Sequence, residues 1–278
     1  MVTRSDYGKK EVEISLSVLV ELMTLLGAFH DHIVLVGGWT PYFLLEEKGK
    51  EHTGSLDIDI ALDFQRISEE SYRTILQLLK ERGYVQQEQP FIFNRVIDIE
   101  DATPVTVEID LLSGEYGGMG RSHRTQKVQD VRARKARGCD LVFEHNFPMR
   151  LRGKMPDGSI NEITIKVANV VPFLVMKGMA IWDRYKEKDA YDIYFTILHY
   201  PGGIGALTGI FEPYRTNALV KEGLEKIRSK FKDIDSGPIW VVNFLEIDDD
   251  EEKERVQRDV YERVNAWLNA LNIEPYQD

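Results

Sequence analysis

The chain has 278 residues, 43% of them hydrophobic and 29% charged, which predicts a globular protein of one large or two ordinary domains. Its most apolar stretch, "VANVVPFLVMKGMAIW", is interrupted by Pro172 and Lys177 and is too short for a transmembrane helix, so we expect no membrane segment. The N-terminal residues contain no apolar secretory signal and Cys139 is the single cysteine, so we expect a cytoplasmic location without internal disulfides. A formal net charge of −11 argues against a protein that coats nucleic acid non-specifically.

The order of the predicted elements indicates a mixed sheet followed by helices. Helical spacing of apolar residues predicts helices, and short β-branched runs that end in glycine or polar residues predict strands. In chain order we predict helix 11–28, strand 32–36, helix 39–47, strand 55–62, helix 68–83, strands 91–99 and 104–112, a β-hairpin over 141–168, helices 169–186, 189–199 and 216–232, strand 238–247, and helix 251–271. We therefore expect an α+β fold with a mixed-sheet domain over residues 1–165 and a mainly helical domain over residues 166–278.

Two carboxylates alternate with apolar residues in the predicted strand "SLDIDIAL". Because alternate residues of a strand share a face, Asp57 and Asp59 are expected side by side, while Leu56, Ile58 and Ile60 point into the core. Two like charges at that distance repel unless a cation lies between them, and a hard cation such as Mg²⁺ binds carboxylate and phosphate oxygens. The same pattern is common on solvent-facing strands, so a metal site and an ordinary strand both remain open at this point.

A third carboxylate follows in "VTVEIDLL", where apolar residues take one face and Glu108 and Asp110 share the other. If this strand neighbours the first, Asp110 lies beside Asp57 and Asp59. Three carboxylates around metal ions would stabilise an in-line displacement at phosphorus, and the third could accept the proton of an attacking hydroxyl. Glu108 is the rival for this role, although we expect it to face solvent.

A glycine pair, Gly37 and Gly38 in "LVGGWTP", ends a strand and precedes a helix. Such a turn lets the backbone approach a phosphate, and the helix N-terminus offers unpaired N–H groups. A turn that needs only a positive φ is the alternative. Neither a G-x-G-x-x-G nor a G-x-x-x-x-G-K-[ST] pattern is present, so the usual dinucleotide and P-loop sites are not expected.

A basic segment, Arg121–Arg137, has seven Lys or Arg residues against one Asp in an otherwise acidic chain. It could contact the phosphates of RNA or of a nucleotide, because phosphate contacts supply most sequence-independent affinity. A solvated helix face is the alternative.

Taken in order, "VLVGGWTPYFLL", "GSLDIDIAL" and "VEIDLL" resemble the nucleotidyltransferase superfamily related to DNA polymerase β. The stretch "VVPFLVMKGMAIWDRYKEKDAYDIYFTI" resembles the signature of the AbiEii-type abortive-infection toxin nucleotidyltransferases. The resemblance covers residues 33–197. It implies a polymerase β-like catalytic domain with an NTP as donor and Mg²⁺. In that family the glycine turn holds the triphosphate, the Asp-x-Asp binds metal and the third Asp completes the site. Some members modify tRNA ends as the toxin of a toxin–antitoxin pair.

The resemblance also assigns charged residues of the second half. Its lysine falls on Lys177, its arginine on Arg184, its basic residue on Lys188, and its two acids on Asp189 and Asp192. A spacing of three places the two aspartates on one helix face, where they could order the lysine or the arginine. A lysine in an apolar helix is costly unless its ammonium is paired or faces a phosphate-binding cleft, so a buried ion-pair network is the alternative.

Two features depart from the superfamily pattern. Eighteen residues separate Gly38 from Asp57, and an arginine that many relatives place just before the strand is missing. His52 or Thr53 could substitute for this arginine. The turn is also bulkier than usual, because Trp39 follows the glycines. These differences affect the expected substrate more than the expected fold.

The sequence therefore predicts a nucleotidyltransferase, dependent on Mg²⁺ or Mn²⁺, that moves a nucleoside monophosphate from an NTP to a hydroxyl acceptor. RNA or tRNA, a protein hydroxyl and a small molecule such as an aminoglycoside are the candidate acceptors, and the basic segment Arg121–Arg137 favours RNA. A cognate antitoxin is an expected partner if the chain is a toxin. The expected metal ligands are Asp57, Asp59 and Asp110, and the expected catalytic residues are these three with Lys177 and Asp192. The expected NTP contacts are Gly37, Gly38, Trp39, Ser55, Lys177, Arg184 and Lys188. A non-catalytic binding module and a sugar-nucleotide glycosyltransferase are the alternatives.

Overall fold

The structure is a computed structural model, and it describes residues 3–64, 66–99, 102–114, 125–128 and 131–277. The chain divides into two compact units. A sheet unit consists of Lys9–Thr40 and Gly54–Asn169, and a helical unit consists of Met1–Gly8, Pro41–Thr53 and Val170–Asp278. The helical unit thus takes in two N-terminal segments besides the C-terminal part of the chain. No helix among the described residues is long and apolar enough to cross a membrane.

The strands of the sheet unit form one mixed sheet. They are β1 (Ile33–Val36), β2 (Ile58–Leu62), β3 (Val85–Gln86), β4 (Ile92–Ile99), β5 (Ala102–Ser113), β6 (Thr125–Val128), β7 (Val131–Lys135), β8 (Asn146–Lys154) and β9 (Ile160–Ala168). Their order is β3-β4-β5-β2-β1-β9-β8, and β7 pairs with both β5 and β6. Strand β2 runs antiparallel to β1 and parallel to β5, so the predicted mixed sheet is confirmed.

Among the described residues of the sheet unit, the two longest helices are α1 (Lys9–Leu25) and α4 (Glu69–Glu81). Helix α1 buries Leu19 and Leu22 completely, as its apolar spacing predicts. Helix α4 begins after Ser68, whose hydroxyl accepts a hydrogen bond from the backbone N–H of Ser71 at 3.1 Å. This cap satisfies one of the N–H groups that have no partner inside the helix, and it marks the predicted helix start.

The helical unit confirms the prediction of a mainly helical C-terminal part. Its helices are α2 (Thr40–Leu44, whose first residue belongs to the sheet unit), α3 (Glu46–Gly49), α5 (Val170–Asp183), α6 (Glu187–His199), α7 (Gly203–Phe211), α8 (Ala218–Lys230), α9 (Gly237–Leu245) and α10 (Asp250–Ala270). Helices α5 and α8 approach closely at Gly178, where a Cβ atom would overlap the backbone of Gly223.

The prediction of a strand over residues 238–247 is wrong, because the segment lies mostly in helix α9. Pro238 lies in the first turn, and Phe244 is fully buried, with its ring centroid 4.7 Å from that of Tyr191 on α6. A short apolar run fits a buried strand or a buried helix equally well, and here packing between helices decides. In the basic segment Arg121–Arg137 the described residues form strands β6 and β7, so the helix-face alternative is also wrong.

Candidate functional site

Asp59 and Asp110 occupy paired positions on the neighbouring parallel strands β2 and β5. On its other side Asp59 pairs with Val36, the last residue of β1. Asp110 is buried, with 6% of its surface exposed, and Asp59 is half-buried. The sheet register therefore brings together two carboxylates that are far apart in the sequence.

Asp57 lies outside this pair. Strand β2 begins at Ile58, later than predicted, so Asp57 lies in the bend before the strand and the alternation of faces does not extend to it. In the described ranges, no group of three or more His, Cys, Asp or Glu side chains is placed to hold a metal ion. The structure thus brings together two of the three predicted metal ligands, Asp59 and Asp110, without Asp57.

Arg134 on β7 is the cationic neighbour of the carboxylate pair. Its Nη1 atom donates a hydrogen bond to Oδ2 of Asp110 at 3.0 Å. Burial, followed by the negative charge of Asp59, raises the pKa of Asp110 to about 7, and Arg134 opposes this rise. The other oxygen of Asp110, Oδ1, is buried and accepts no hydrogen bond from the described residues. A buried carboxylate with one unsatisfied oxygen beside a second carboxylate would be stabilised by a cation.

Gly37 brings the backbone directly against the carboxylate of Asp59. Its φ is +69°, a left-handed value that favours glycine. A Cβ atom at this position would overlap the carboxyl group of Asp59. Gly37–Trp39 form a single 3₁₀ turn between β1 and α2. The first glycine of the predicted phosphate turn is therefore required by conformation and by space, and the turn lies beside the carboxylate pair.

The side chains of Trp39 and Ser55, both predicted to contact the nucleotide, are buried. Trp39 has 0% of its surface exposed, and its Nε1 donates a hydrogen bond to Oγ of Ser15 at 3.3 Å. Ser55 is 6% exposed. The indole of Trp39 thus belongs to the core of the sheet unit and is not accessible to a ligand. Gly38, the second glycine of the turn, is also buried.

The role of Arg134 at the carboxylate pair was missed by sequence reasoning. The arginine belongs to the basic segment Arg121–Arg137, for which the sequence left phosphate binding and a solvated helix face as alternatives. Residues 121–124 and 129–130 of that segment lie outside the described residues. Pairing of β7 with β5 brings the guanidinium to Asp110. The many arginines of this segment indicated that one of them could contact an acidic group. The register between β5 and β7 determines that Arg134 reaches Asp110.

The helical unit holds the other predicted residues in a buried ion-pair group. Nζ of Lys177, on α5, lies 2.7 Å from Oδ1 of Asp189 and 2.6 Å from Oδ2 of Asp192, both on α6. Nζ of Lys188 lies 2.9 Å from Oδ1 of Asp192. Nε of Arg184, between the two helices, lies 2.9 Å from Oδ2 of Asp189. These five residues, called the Lys177 cluster, join α5 to α6.

His52 extends the Lys177 cluster from the segment between α3 and β2. Its Nε2 lies 2.9 Å from Oδ1 of Asp192, and the ring is fully buried. Burial is the largest cause of a pKa lowered to about 4, so the ring is neutral at physiological pH and its Nε2–H donates a hydrogen bond to the ionised Asp192. The sequence offered His52 as a substitute for an arginine before β2. The structure instead pairs it with a carboxylate of α6.

The ion pairs of the Lys177 cluster join three cationic side chains, those of Lys177, Arg184 and Lys188, to two aspartates, Asp189 and Asp192. Burial acts to raise the pKa of Asp192, but the charges of Lys177 and Lys188 hold it well below its usual value. The side chains of Lys177 and Lys188 are 10% and 4% exposed, whereas that of Arg184 is 46% exposed. The alternative of a buried ion-pair network is thus present, and Arg184 is the cation of the cluster most exposed to solvent.

Comparisons with known proteins add one similar structure. No protein-family model matches the chain, and a search of curated proteins found no match. Among solved structures, the chain is similar to the crystal structure of an antigenic nucleotidyltransferase-like protein from Paracoccidioides brasiliensis. The sequence identity is 15% and the TM-score 0.39, and the match covers 97% of this chain and 95% of that chain.

Proposed function

We propose that the chain is a divalent-metal-dependent nucleotidyltransferase of the polymerase β type, which moves a nucleoside monophosphate from an NTP to a hydroxyl acceptor and releases pyrophosphate. The observation that supports this most is the paired position of Asp59 and Asp110 on adjacent parallel strands. Gly37 adds a tight turn against the carboxylate of Asp59. The sequence resemblance leads us to expect three parts of such a site, namely a glycine turn, an Asp-x-Asp motif and a third aspartate.

In this proposal Asp59 and Asp110 hold Mg²⁺ or Mn²⁺, with Asp57 as a further ligand. Mg²⁺ usually takes one or two carboxylates together with waters and substrate phosphates, which fits a carboxylate pair with one unsatisfied oxygen. When bound, such a cation offsets the charge of the transferring phosphate. Arg134 balances part of the negative charge of the pair in the metal-free protein.

Asp110 is also the residue best suited to accept the proton of the attacking hydroxyl. Without a bound cation the pKa of Asp110 is about 7, near physiological pH, and the charge of a bound cation would lower this pKa and favour the ionised form that a general base needs. Its Oδ1 can receive a proton without losing a hydrogen bond from the described residues, whereas Oδ2 accepts one from Arg134. Asp110 therefore has two candidate roles, ligand and base.

For the helical unit we propose that Arg184 contacts phosphate and that Lys177 and Asp189 position it. Arg184 has the most exposed cationic side chain of the Lys177 cluster. Asp189 accepts hydrogen bonds from both Arg184 and Lys177, so the lysine acts on the arginine through this carboxylate. Lys188 and Asp192 were also predicted at the site. Both lie on α6, and Asp192 pairs with Lys177 and Lys188, so they would help to hold Lys177 in position.

RNA or tRNA is the proposed acceptor, because the basic segment Arg121–Arg137 supplies cations for a phosphate backbone. A toxin role with a cognate antitoxin is proposed on the sequence resemblance alone.

A transfer assay tests the proposal. The protein is incubated with Mg²⁺, each labelled NTP in turn, and total cellular RNA, protein or small-molecule acceptors. We expect label transfer that is lost in Asp59→Asn and Asp110→Asn. Asp98→Asn, at an exposed carboxylate on β4 of the same sheet, is the matched control and keeps activity. Binding of a UDP-sugar but of no NTP would instead indicate the glycosyltransferase alternative.

One observation favours a second candidate, a non-catalytic nucleotide-binding module. Arg134 pairs with Asp110 but has 47% of its side chain exposed, and an exposed guanidinium can bind a phosphate without a metal. For a module of this kind, calorimetry would show NTP binding that EDTA does not change and that Arg134→Gln weakens, with no label transferred to any acceptor. For the transferase, EDTA abolishes transfer.

A further inference from the structure

Three aromatic side chains surround the ammonium group of Lys230 in the helical unit. Its Nζ lies 4.5 Å from the ring centroid of Tyr185, 4.9 Å from that of Trp182 and 5.8 Å from that of Trp240. All three distances lie within the range of about 6 Å over which a cation is attracted to a ring face. These four residues, called the Lys230 cluster, come from α5, the segment after it, α8 and α9.

The charge of Lys230 is shielded by rings but not neutralised. In the part of the chain that the structure describes, Lys230 forms no ion pair. Lys226, one turn earlier on α8, provides the contrast, because its Nζ lies 2.8 Å from Oε1 of Glu222. A half-buried ammonium without a carboxylate favours an anionic ligand.

Tyr185 presents an exposed aromatic surface beside this charge. The residue is 77% exposed, an unusual value for a large aromatic side chain in a folded unit. Its ring meets Trp240 edge to face, with centroids 5.4 Å apart, and Trp182 meets Tyr276 in the same manner at 5.2 Å. One side of the Tyr185 ring is therefore held by Lys230 and Trp240, while most of the residue faces solvent.

We propose that the Lys230 cluster binds single-stranded RNA, with an unpaired base stacked on Tyr185 and a phosphate paired with Lys230. Aromatic rings beside cations are the usual means by which proteins bind single strands. Aromatic cages also bind quaternary ammonium groups, but Lys230 already places a cation among these rings and would repel a second one. The inference rests on the proposed function, in which RNA is the acceptor.

Fluorescence anisotropy with a labelled single-stranded oligonucleotide of about ten ribonucleotides tests the stacking contact. We expect Tyr185→Leu to weaken binding about 10-fold, which is the contribution of one stacked base, and Tyr185→Trp to retain it. Because the side chain is mostly exposed, neither change should unfold the protein. Tyr214→Leu, at a half-buried tyrosine between α7 and α8, is the matched control and leaves binding unchanged.

The salt dependence of the same binding tests the phosphate contact. We expect Lys230→Gln to reduce the slope of log K against log salt concentration by about 0.7, the value for one phosphate of a single strand. Tyr185→Leu should leave this slope unchanged. Lys221→Gln, on the same helix with 62% of its side chain exposed, serves as the matched control and should change neither affinity nor slope.

A third variant separates this inference from the proposed function. Asp59→Asn should abolish nucleotidyl transfer and keep wild-type affinity for RNA. The inference is overturned if the wild-type protein does not bind the RNA, if Tyr185→Leu and Lys230→Gln bind it as the wild type does, or if a proline-rich peptide binds at Tyr185 in its place. RNA binding that depends on Tyr185 in a protein that transfers no nucleotide supports the inference and overturns the proposed function alone.

Discussion

The carboxyl group of Asp59 occupies the space that a Cβ atom on residue 37 would need, so Gly37 and Asp59 are in direct contact. Gly37 directly follows Val36, the β1 residue that pairs with Asp59, so the antiparallel register of β1 and β2 sets the contact. The parallel register of β2 and β5 then places Asp110 on the other side of Asp59. The position of the Gly37 turn and that of the carboxylate pair thus both depend on the pairing of β2 with its neighbours. We therefore expect a substitution in the turn to shift the carboxylate of Asp59.

Gly37→Ala should therefore disturb both folding and the carboxylate pair. Alanine is strained at a φ of +69°, and its Cβ would overlap the Asp59 carboxyl group, so we expect a loss of about 1–3 kcal/mol in the free energy of unfolding. Urea denaturation measures this loss. Gly205→Ala in α7 is the control, because a Cβ there meets nothing within 4 Å and alanine favours a helix. Equal stability of the two variants would contradict the contact between Gly37 and Asp59.

Metal affinity should depend on Asp59 and Asp110 more than on Asp57. The first two are paired in register, whereas Asp57 lies in the bend before β2. Calorimetric titration with Mn²⁺ should show affinity reduced about 10-fold or more in Asp59→Asn and Asp110→Asn, and less in Asp57→Asn. Asp98→Asn is the control. A loss in Asp57→Asn equal to that in Asp59→Asn would show that the bend closes onto the pair when metal binds.

The raised pKa of Asp110 should make the metal-free protein less stable as pH rises. Between the ordinary pKa of 3.8 and the folded-state value of about 7, the unfolded chain has lost the proton that the folded chain still holds. Stability therefore falls across this window by about 1.4 kcal/mol per pH unit, or about 4 kcal/mol in total. Urea denaturation in EDTA at pH 4 to 8 measures the slope.

Asp110→Asn is the comparison for this pH series. The variant should lack the fall between pH 4 and 7 while keeping the contributions of other groups. His52 is one of these, and it acts in the opposite direction. Because its folded-state pKa is about 4, below the ordinary 6.5, its contribution is lost as pH falls through that window. If the free energy of unfolding changed with pH in the same way for the wild type and for Asp110→Asn, the result would contradict the raised pKa of Asp110.

Local sequence patterns predicted most of the elements but only part of the carboxylate pair. Alternation in "VTVEIDLL" placed Asp110 on the face opposite the core residues, and a position beside Asp57 and Asp59 was expected on the condition that the two strands are neighbours. Asp57 shows the limit of this reasoning. The alternation around it looks continuous, but the strand begins only at Ile58, and strand ends depend on pairing with neighbours rather than on local pattern.

Long-range partners could not be obtained from the sequence. His52 meets Asp192 across 140 positions of the chain, and Arg134 reaches Asp110 through the pairing of β7 with β5. Both contacts depend on how separate elements pack, for which a single sequence carries no local signal. The prediction of a strand over residues 238–247 was wrong for the same reason. Burial among helices outweighed the β-branched and aromatic composition of this segment.

Lys177→Met should distinguish a structural from a phosphate-binding role for this lysine. Its removal leaves Asp189 and Asp192 buried with fewer cations, and breaking a buried ion pair in this manner costs about 3–5 kcal/mol. Lys221→Met, at an exposed lysine of α8, should cost almost nothing. Urea denaturation measures the free energy of unfolding of both variants, and NTP titration measures their affinity for the nucleotide. Unchanged stability with weakened NTP binding would show that Lys177 binds phosphate directly, against the positioning role in which it acts on Arg184 through Asp189.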